Sequence, residues 1–255
     1  MTADVVGVVC ALAAEARHLG FPTRRGQPPA SLNSLDDGTL VAISGMGLAA
    51  ADAGARALIQ AGARALVSWG MAGGLDPSLT PGAIFLPTEV ISLEGAAIKA
   101  ASPWRERVAE AISARKPIAA GRLLTSATAI GSLADKSRLF RETGAAAVDM
   151  ESLAIAETAR AHGIPFLAVR VIVDSAADAL PRAVTAAANS QGHLNIWRLI
   201  GTLAREPAEL APLLRLARRY RAANRSMAAV ARVGSWTSFA FSGARGKRAS
   251  ARESV

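Results

Sequence analysis

Apolar residues fall along this chain in two rhythms. Short, almost unbroken apolar runs occur at Val5 to Cys10, Leu40 to Ser44, Ala65 to Trp69, Ala83 to Pro87, Phe166 to Val173, and in two runs ending at Leu124 and at Val148. Runs with no polar face predict strands covered on both sides. Between them apolar residues recur near helical period. Helices are predicted from about Ala13, over Ala49 to Gln60, over Pro103 to Ala114 with proline in the first turn, over Ala134 to Glu142, and over Ser152 to Ala161. Ser152 is placed to cap the last of these, and Gly163 and Pro165 stop it. Phe21 to Gly38 reads as loop, Gly45-Met46-Gly47 as a tight turn, and Gly70-Met71-Ala72-Gly73-Gly74 as a turn closing a strand. Alternating strands and helices predict a single α/β domain, a three-layer α/β/α arrangement around a central, mostly parallel mixed sheet.

Composition agrees with one large globular domain: 255 residues, 51% hydrophobic and 19% charged. The apolar stretch Val5 to Ala14 is not a signal peptide or a membrane span. It has Asp4 before it and Glu15 after it, lacks a basic leader, and is shorter than the ~20 residues a spanning helix needs. The lone cysteine, Cys10, excludes an intramolecular disulfide and fits a reducing, cytoplasmic compartment. His18, His162 and His193 share no metal-ligand spacing, so no metal site is expected. The net charge of +9 is concentrated at the end: residues 201–255 hold eleven basic side chains against three acidic ones. Charge confined to one end, with none of the usual nucleic-acid motifs, argues against a nucleic-acid partner.

Two charges break the logic of the last apolar run. Arg170 lies inside it and Asp174 at its end, and a buried charge is costly unless paired or used. Either Arg170 pairs with Glu151 and Asp174 caps the next turn, or both face a ligand at the carboxyl end of the strand. The glycines at 70, 73 and 74 would let a ligand approach backbone closely, although the stretch is neither a Walker loop nor a dinucleotide fingerprint.

Five motifs in order carry more weight: Gly7-Val8-Val9-Cys10-Ala11 with Glu15, Ser44-Gly45-Met46-Gly47, Gly70-Met71-Ala72-Gly73-Gly74-Leu75, Val148-Asp149-Met150-Glu151, and Arg170-Val171-Ile172-Val173-Asp174 continuing to Asp178. From about Val5 to Asp178 the chain thereby resembles the nucleoside phosphorylase and nucleosidase superfamily, including the methylthioadenosine/S-adenosylhomocysteine nucleosidases. The resemblance implies cleavage of an N-glycosidic bond with no metal or organic cofactor. Asp174 would be the general acid toward N7 of adenine, Glu15 the carboxylate that activates water, and Arg170 the arginine that orients the nucleophile. Glu151 would accept the ribose hydroxyls and Met150 would pack on the sugar, with Met46, Met71, Ala72, Gly73, Ile130 and Val148 as further substrate-binding positions. A silent nucleoside-binding protein would not need Glu15, Glu151 and Asp174 together.

A narrower similarity, through Asp178-Ala179-Leu180-Pro181, Gly192-His193-Leu194-Asn195 and Leu203-Ala204-Arg205-Glu206-Pro207, extends to about Val233. These residues look like the hopanoid-associated phosphorylase branch, the adenosylhopane nucleosidases. The substrate implied is an adenine nucleoside carrying a lipid, and homodimers or larger oligomers are implied as well. Residues 1–233 would form the domain, including a basic helical segment from about Leu194 to Ala223. That segment could meet an anionic membrane surface at the periphery of the inner membrane face. Residues 234–255 read as a disordered basic tail. Departures from the pattern bear on the nucleophile and the base: the phosphorylases' Gly-Asp-Pro-x-Arg loop is replaced by Ala11 to Arg17, Ser68 and Met71 replace expected phosphate or water ligands, and Ala129-Ile130 replaces a purine-stacking Phe. Losing these anchors favours water. Arg17 is the substitute anchor if inorganic phosphate is the co-substrate.

Overall fold

In the computed structural model the described residues are 5–21, 31–113, 116–179 and 210–233. Their elements run β1 (Val5–Cys10), α1 (Ala13–Ala16) leading into a 3₁₀ turn (Arg17–Leu19), β2 (Ser31–Ser34), β3 (Leu40–Ile43), α2 (Leu48–Gln60), β4 (Ala63–Gly74), β5 (Ile84–Phe85), β6 (Glu89–Ile91), β7 (Ala97–Lys99), α3 (Ser102–Ser113), β8 (Ile118–Ala119), β9 (Arg122–Thr125), α4 (Leu133–Thr143), β10 (Ala145–Asp149), α5 (Ser152–Ala161), β11 (Phe166–Asp174) and α6 (Leu210–Ala231). The strands form one mixed sheet in the order β2-β3-β1-β4-β10-β9-β6-β7, with β11 joined to β4 and carrying β5 and then β8. The expected three layers follow from strand periodicity. One face of the sheet offers Val6, Val8, Val67, Trp69, Leu167 and Val169 to Trp104 and Val108 of α3 and to Ala223, Met227 and Val230 of α6. The alternate residues Leu66, Ala168 and Ile172 meet Ala51, Ala55 and Leu58 of α2 and Ile155 and Ala159 of α5. Arg170 has the parity of this second face, which the register shift after Ile172 takes from Asp174.

The central strand changes neighbours part-way along. β4 runs parallel to β1 as far as the pair Cys10↔Trp69. It then pairs antiparallel with β10 at Gly73↔Val148 and Gly74↔Ala147. Its other edge stays with β11 throughout, from Phe166↔Leu66 to Asp174↔Gly73, with a register irregularity between Ile172 and Asp174. The stretch Gly70 to Gly74 is therefore strand and not the turn its glycines predict. None of Gly70, Gly73 and Gly74 has the positive φ of a turn, which Gly45 and Gly47 do show, at 92° and 91°. Their missing side chains serve close packing instead.

Other departures are smaller. β2 lies in the expected loop, and β6, β7 and β8 are too short to leave a periodic signal. Ser152 is the first residue of α5, whose N-cap is Glu151 without a side-chain cap bond. The basic helix continues to Ala231 because Ser226, Met227 and Val230 are buried. The expected start of that segment at Leu194 and the tail 234–255 lie outside the described residues. Among the described residues, no helix is long and apolar enough to cross a membrane, and no group of His, Cys, Asp and Glu could hold a metal ion.

Candidate active site

Among the described residues the buried charged side chains are Glu15, Lys136, Asp149, Glu151, Arg170 and Asp174. Four carboxyls face two cations, so ionising all of them would leave uncompensated negative charge in a dry interior. Burial raises the pKa of three of them, Glu15, Glu151 and Asp174. The group surrounds the place where β4 exchanges β1 for β10.

Arg170 organises one side. Its Nε and Nη2 bind Oδ2 of Asp149 at 2.9 and 2.6 Å, and Nη2 also donates to the hydroxyls of Ser68 at 2.6 Å and Ser152 at 2.9 Å. Asp149 is further held by the Thr125 hydroxyl at 2.8 Å and by the Ser152 N–H. The ion pair is thus Arg170 with Asp149, which corrects the expected partner Glu151. Strand β10 ends at Asp149, and the break before α5 swings Glu151 away to accept the Gly47 N–H at 2.9 Å. Ser68 belongs to the Arg170 clamp.

Glu15 enters from α1. Its Oε1 accepts the Met71 N–H at 3.0 Å, where β4 has left β1, and its Oε2 accepts the Leu12 N–H at 3.0 Å. Burial raises its pKa, against the lowering effect of Arg170 and the backbone donors. Gly70 makes this proximity sterically feasible: a Cβ there would stand 2.7 Å from Glu15 Oε1 and 3.2 Å from Arg170 Nη1. Glu15 and Arg170 are neighbours across Gly70, but the bonds of Arg170 go to Asp149, Ser68, Ser152 and the Val169 carbonyl.

A cavity of about 240 Å³ opens beside these groups. It is lined by Glu15, Met46, Met71, Ala72, Gly73, Ile130, Val148, Met150, Glu151 and Asp174, and also by Ala11, Leu12, Thr128, Ala129, Asp149 and Val173. The sequence-predicted substrate positions, the base and the acid are therefore brought together. Arg170 lies behind them, on a second cavity of only about 10 Å³ that it shares with Glu15, Glu151, Ser68 and Met71. Arg17 is exposed in the 3₁₀ turn and lines neither cavity. Glu151 is pushed up to about 7, first by burial and then by neighbouring Asp149.

Asp174 does not cap the following turn. Asp178 does so, accepting the Ser175 N–H at 3.0 Å and hydroxyl at 2.7 Å. Asp174 instead accepts Lys136 Nζ through Oδ2, while its Oδ1 is the nearest atom to a Cβ built on Gly73, at 3.3 Å. Burial raises the Asp174 pKa, and Lys136 opposes that rise. Lys136 is the residue the sequence reading missed. Its signal was present: in α4 it shares the face of the buried Leu139 and the part-buried Phe140, where a charge is out of place.

Comparison with known proteins fits this arrangement. The sequence profile of the Phosphorylase superfamily matches residues 6–200. The chain belongs to that superfamily. Membership places it among the nucleosidases and nucleoside phosphorylases. No curated protein matches it. Among solved structures similar to this superfamily member, one from Francisella philomiragia described as a candidate 5′-methylthioadenosine/S-adenosylhomocysteine nucleosidase superposes with a TM-score of 0.64 at 17% identity, covering 90% of this chain and 98% of the other. The Neisseria meningitidis 5′-methylthioadenosine/S-adenosylhomocysteine nucleosidase in complex with methylthio-immucillin-A gives 0.60 at 19%, covering 85% and 99%. A Helicobacter pylori methylthioadenosine nucleosidase mutant with 5′-methylthioadenosine in its active site gives 0.60 at 19%, covering 68% and 86%. At these identities the likeness shows the fold, a single α/β domain around a mixed, mostly parallel sheet.

Proposed function

We propose that the protein hydrolyses the N-glycosidic bond of an adenine nucleoside of the methylthioadenosine/S-adenosylhomocysteine kind. The observation that carries this reading is the convergence of Glu15, Glu151 and Asp174 on one cavity. As the bond breaks, the sugar gains oxocarbenium character and the base gains negative charge. Asp174, whose pKa burial raises, delivers a proton to N7, a contribution worth ~10²–10⁴-fold in rate. Glu151 accepts the ribose hydroxyls and, when ionised, stabilises the positive ring. Glu15 takes the proton of the attacking water. Water is favoured over phosphate because the space between Glu15, Glu151 and Arg170 is about 10 Å³, roughly one water's worth, and because Arg170 is already committed to Asp149. Neither an organic cofactor nor a metal has a step to perform in this scheme.

A lipid-bearing nucleoside, adenosylhopane, is a second reading. Leu12, which lines the cavity, is 43% exposed, and Leu48 and Leu133, close in sequence to the lining residues Met46 and Ile130, are 37% and 47% exposed. Such apolar surface fits a large hydrocarbon at the 5′ position. The exposed Leu210 and Leu214 of α6, among arginines 215, 218 and 221, would then lie against an anionic membrane. Adenine release from methylthioadenosine and from adenosylhopane, with and without phosphate, tests both readings. Release that requires phosphate would overturn hydrolysis.

A further inference from the structure

Lys136 has no exposed surface, yet it is an ammonium with no role in the scheme above. Its three protons have three acceptors: Asp174 Oδ2, the Ser175 carbonyl at 2.8 Å and the Asp178 carbonyl at 3.0 Å. The carbonyl of Asp178 is itself fixed in place. Its carboxylate is clamped by the Ser175 N–H and hydroxyl and by Arg219 of α6 at 2.5 Å. Among the described residues, the charged groups around Asp174 are thus Lys136 from α4, Asp178 from the turn after β11, and Arg219 from α6.

A buried lysine of this kind is costly, and pairing alone seldom repays the cost. Its geometry suggests what is gained. By occupying Oδ2, the ammonium leaves Oδ1 as the oxygen free to carry a proton, and Oδ1 is the nearer of the two to a Cβ built on Gly73, at 3.3 against 3.7 Å, with both residues lining the cavity. We propose that Lys136 is the positioning residue of the general acid: it directs the Asp174 proton to the cavity-facing oxygen and stabilises the carboxylate formed when that proton leaves. The inference rests on the proposed adenine-nucleoside reading. In the step, the proton on Asp174 Oδ1 passes to N7 of the base, and the C1′–N9 electron pair moves into the purine. Asp174 is left as a carboxylate paired with the Lys136 ammonium, which neither gains nor loses a proton. Burial raises the Asp174 pKa, and the adjacent cation partly offsets that rise and eases the proton's departure.

The test measures kcat, KM and the pH profile of adenine release for Lys136→Met, alone and combined with Asp174→Asn. Lys136 lowers the Asp174 pKa, so its removal must raise it, and the alkaline limb of kcat moves to higher pH. The expected result is that upward shift, a fall in kcat of ~10²-fold with KM little changed, and no further loss when Lys136→Met is added to Asp174→Asn. An unmoved limb, or losses that multiply in the double variant, would overturn the proposal and make Lys136 a packing residue. Should Lys136→Met fail to fold, Lys136→Gln keeps a donor to Oδ2 without the charge and must show the same limb shift. Full turnover by Asp174→Asn would instead refute the reading of Asp174 as the acid, a separate failure.

Discussion

Replacing Gly70 by alanine adds one methyl group at the point where Glu15, the proposed base, meets the clamp arginine and the central strand. The new Cβ would lie 2.7 Å from Glu15 Oε1, 3.1 Å from its carboxyl carbon and 3.2 Å from Arg170 Nη1. The carboxylate has little freedom to give way, since the Leu12 and Met71 N–H groups hold it at 3.0 Å each. The strand cannot retreat either, because Gly70 is paired with Arg170 in β11. Overpacking of this kind costs ~1–3 kcal/mol, a drop in Tm of roughly 2–4 °C per kcal/mol for a domain of this size. The loss in turnover should exceed the loss in stability, because a base displaced by ~1 Å forfeits about 10²-fold. Gly73→Ala probes the other end of the site: its Cβ would meet Asp174 Oδ1 at 3.3 Å, a contact a small shift can relieve. Steady-state kinetics and thermal melting of the Gly70 variant decide the matter. Gly70→Ala with unchanged kcat/KM would refute the placement of Glu15 as the base.

Further outcomes follow from the same geometry. Asp174→Asn should lower kcat by ~10²–10⁴-fold while leaving nucleoside binding, measured by calorimetry, largely intact. Arg170→Met leaves Asp149 charged, buried and unpaired, so it should cost ~3–5 kcal/mol of stability, visible in denaturant unfolding; a cost below that of an exposed pair such as Arg56 with Asp52 would contradict the clamp. Glu151 is raised from 4.5 to about 7, so KM should climb as the pH falls through about 7, and Glu151→Gln should flatten that dependence. By linkage, the raised carboxyl contributes stability to the unliganded protein that is present below 4.5 and lost as pH rises through about 7, measurable by melting across that window. Sedimentation with anionic liposomes should retain the full chain and release a variant with the exposed Arg215, Arg218 and Arg221 replaced by Gln; equal retention would remove the membrane contact.

How much of this was legible in the sequence depended on range. The main strands and helices were readable because each carries its own period, and the site carboxyls because they stand in ordered motifs at the end of a strand or in the turn and helix that follow it. The partner of Arg170 was not. Asp149 and Glu151 are two residues apart, and only the end of β10 at Asp149, followed by the turn into α5, sends one to the arginine and the other to Gly47. Glycines 70, 73 and 74 misled for a related reason, since glycine is needed both for positive φ and for close contact, and the local sequence does not say which. Lys136 lies 38 residues from Asp174 along the chain, so its meaning appears only once α4 is docked.

The exchange of neighbours along β4 also sets a distance. Gly70 stands beside Glu15, the proposed base, and Gly73 beside Asp174, the proposed acid, so three steps of strand, ~3.3 Å each, separate the two stations by roughly 10 Å. The irregular register between Ile172 and Asp174 supplies the change of parity that brings the acid opposite Gly73. In the proposed scheme the strand thus serves as a ruler, set to the span from the group that activates water to the group that protonates the departing ring. A fold that measures this gap along a paired backbone can let the loops at its mouth vary with the substrate's far end and still keep the chemistry to scale.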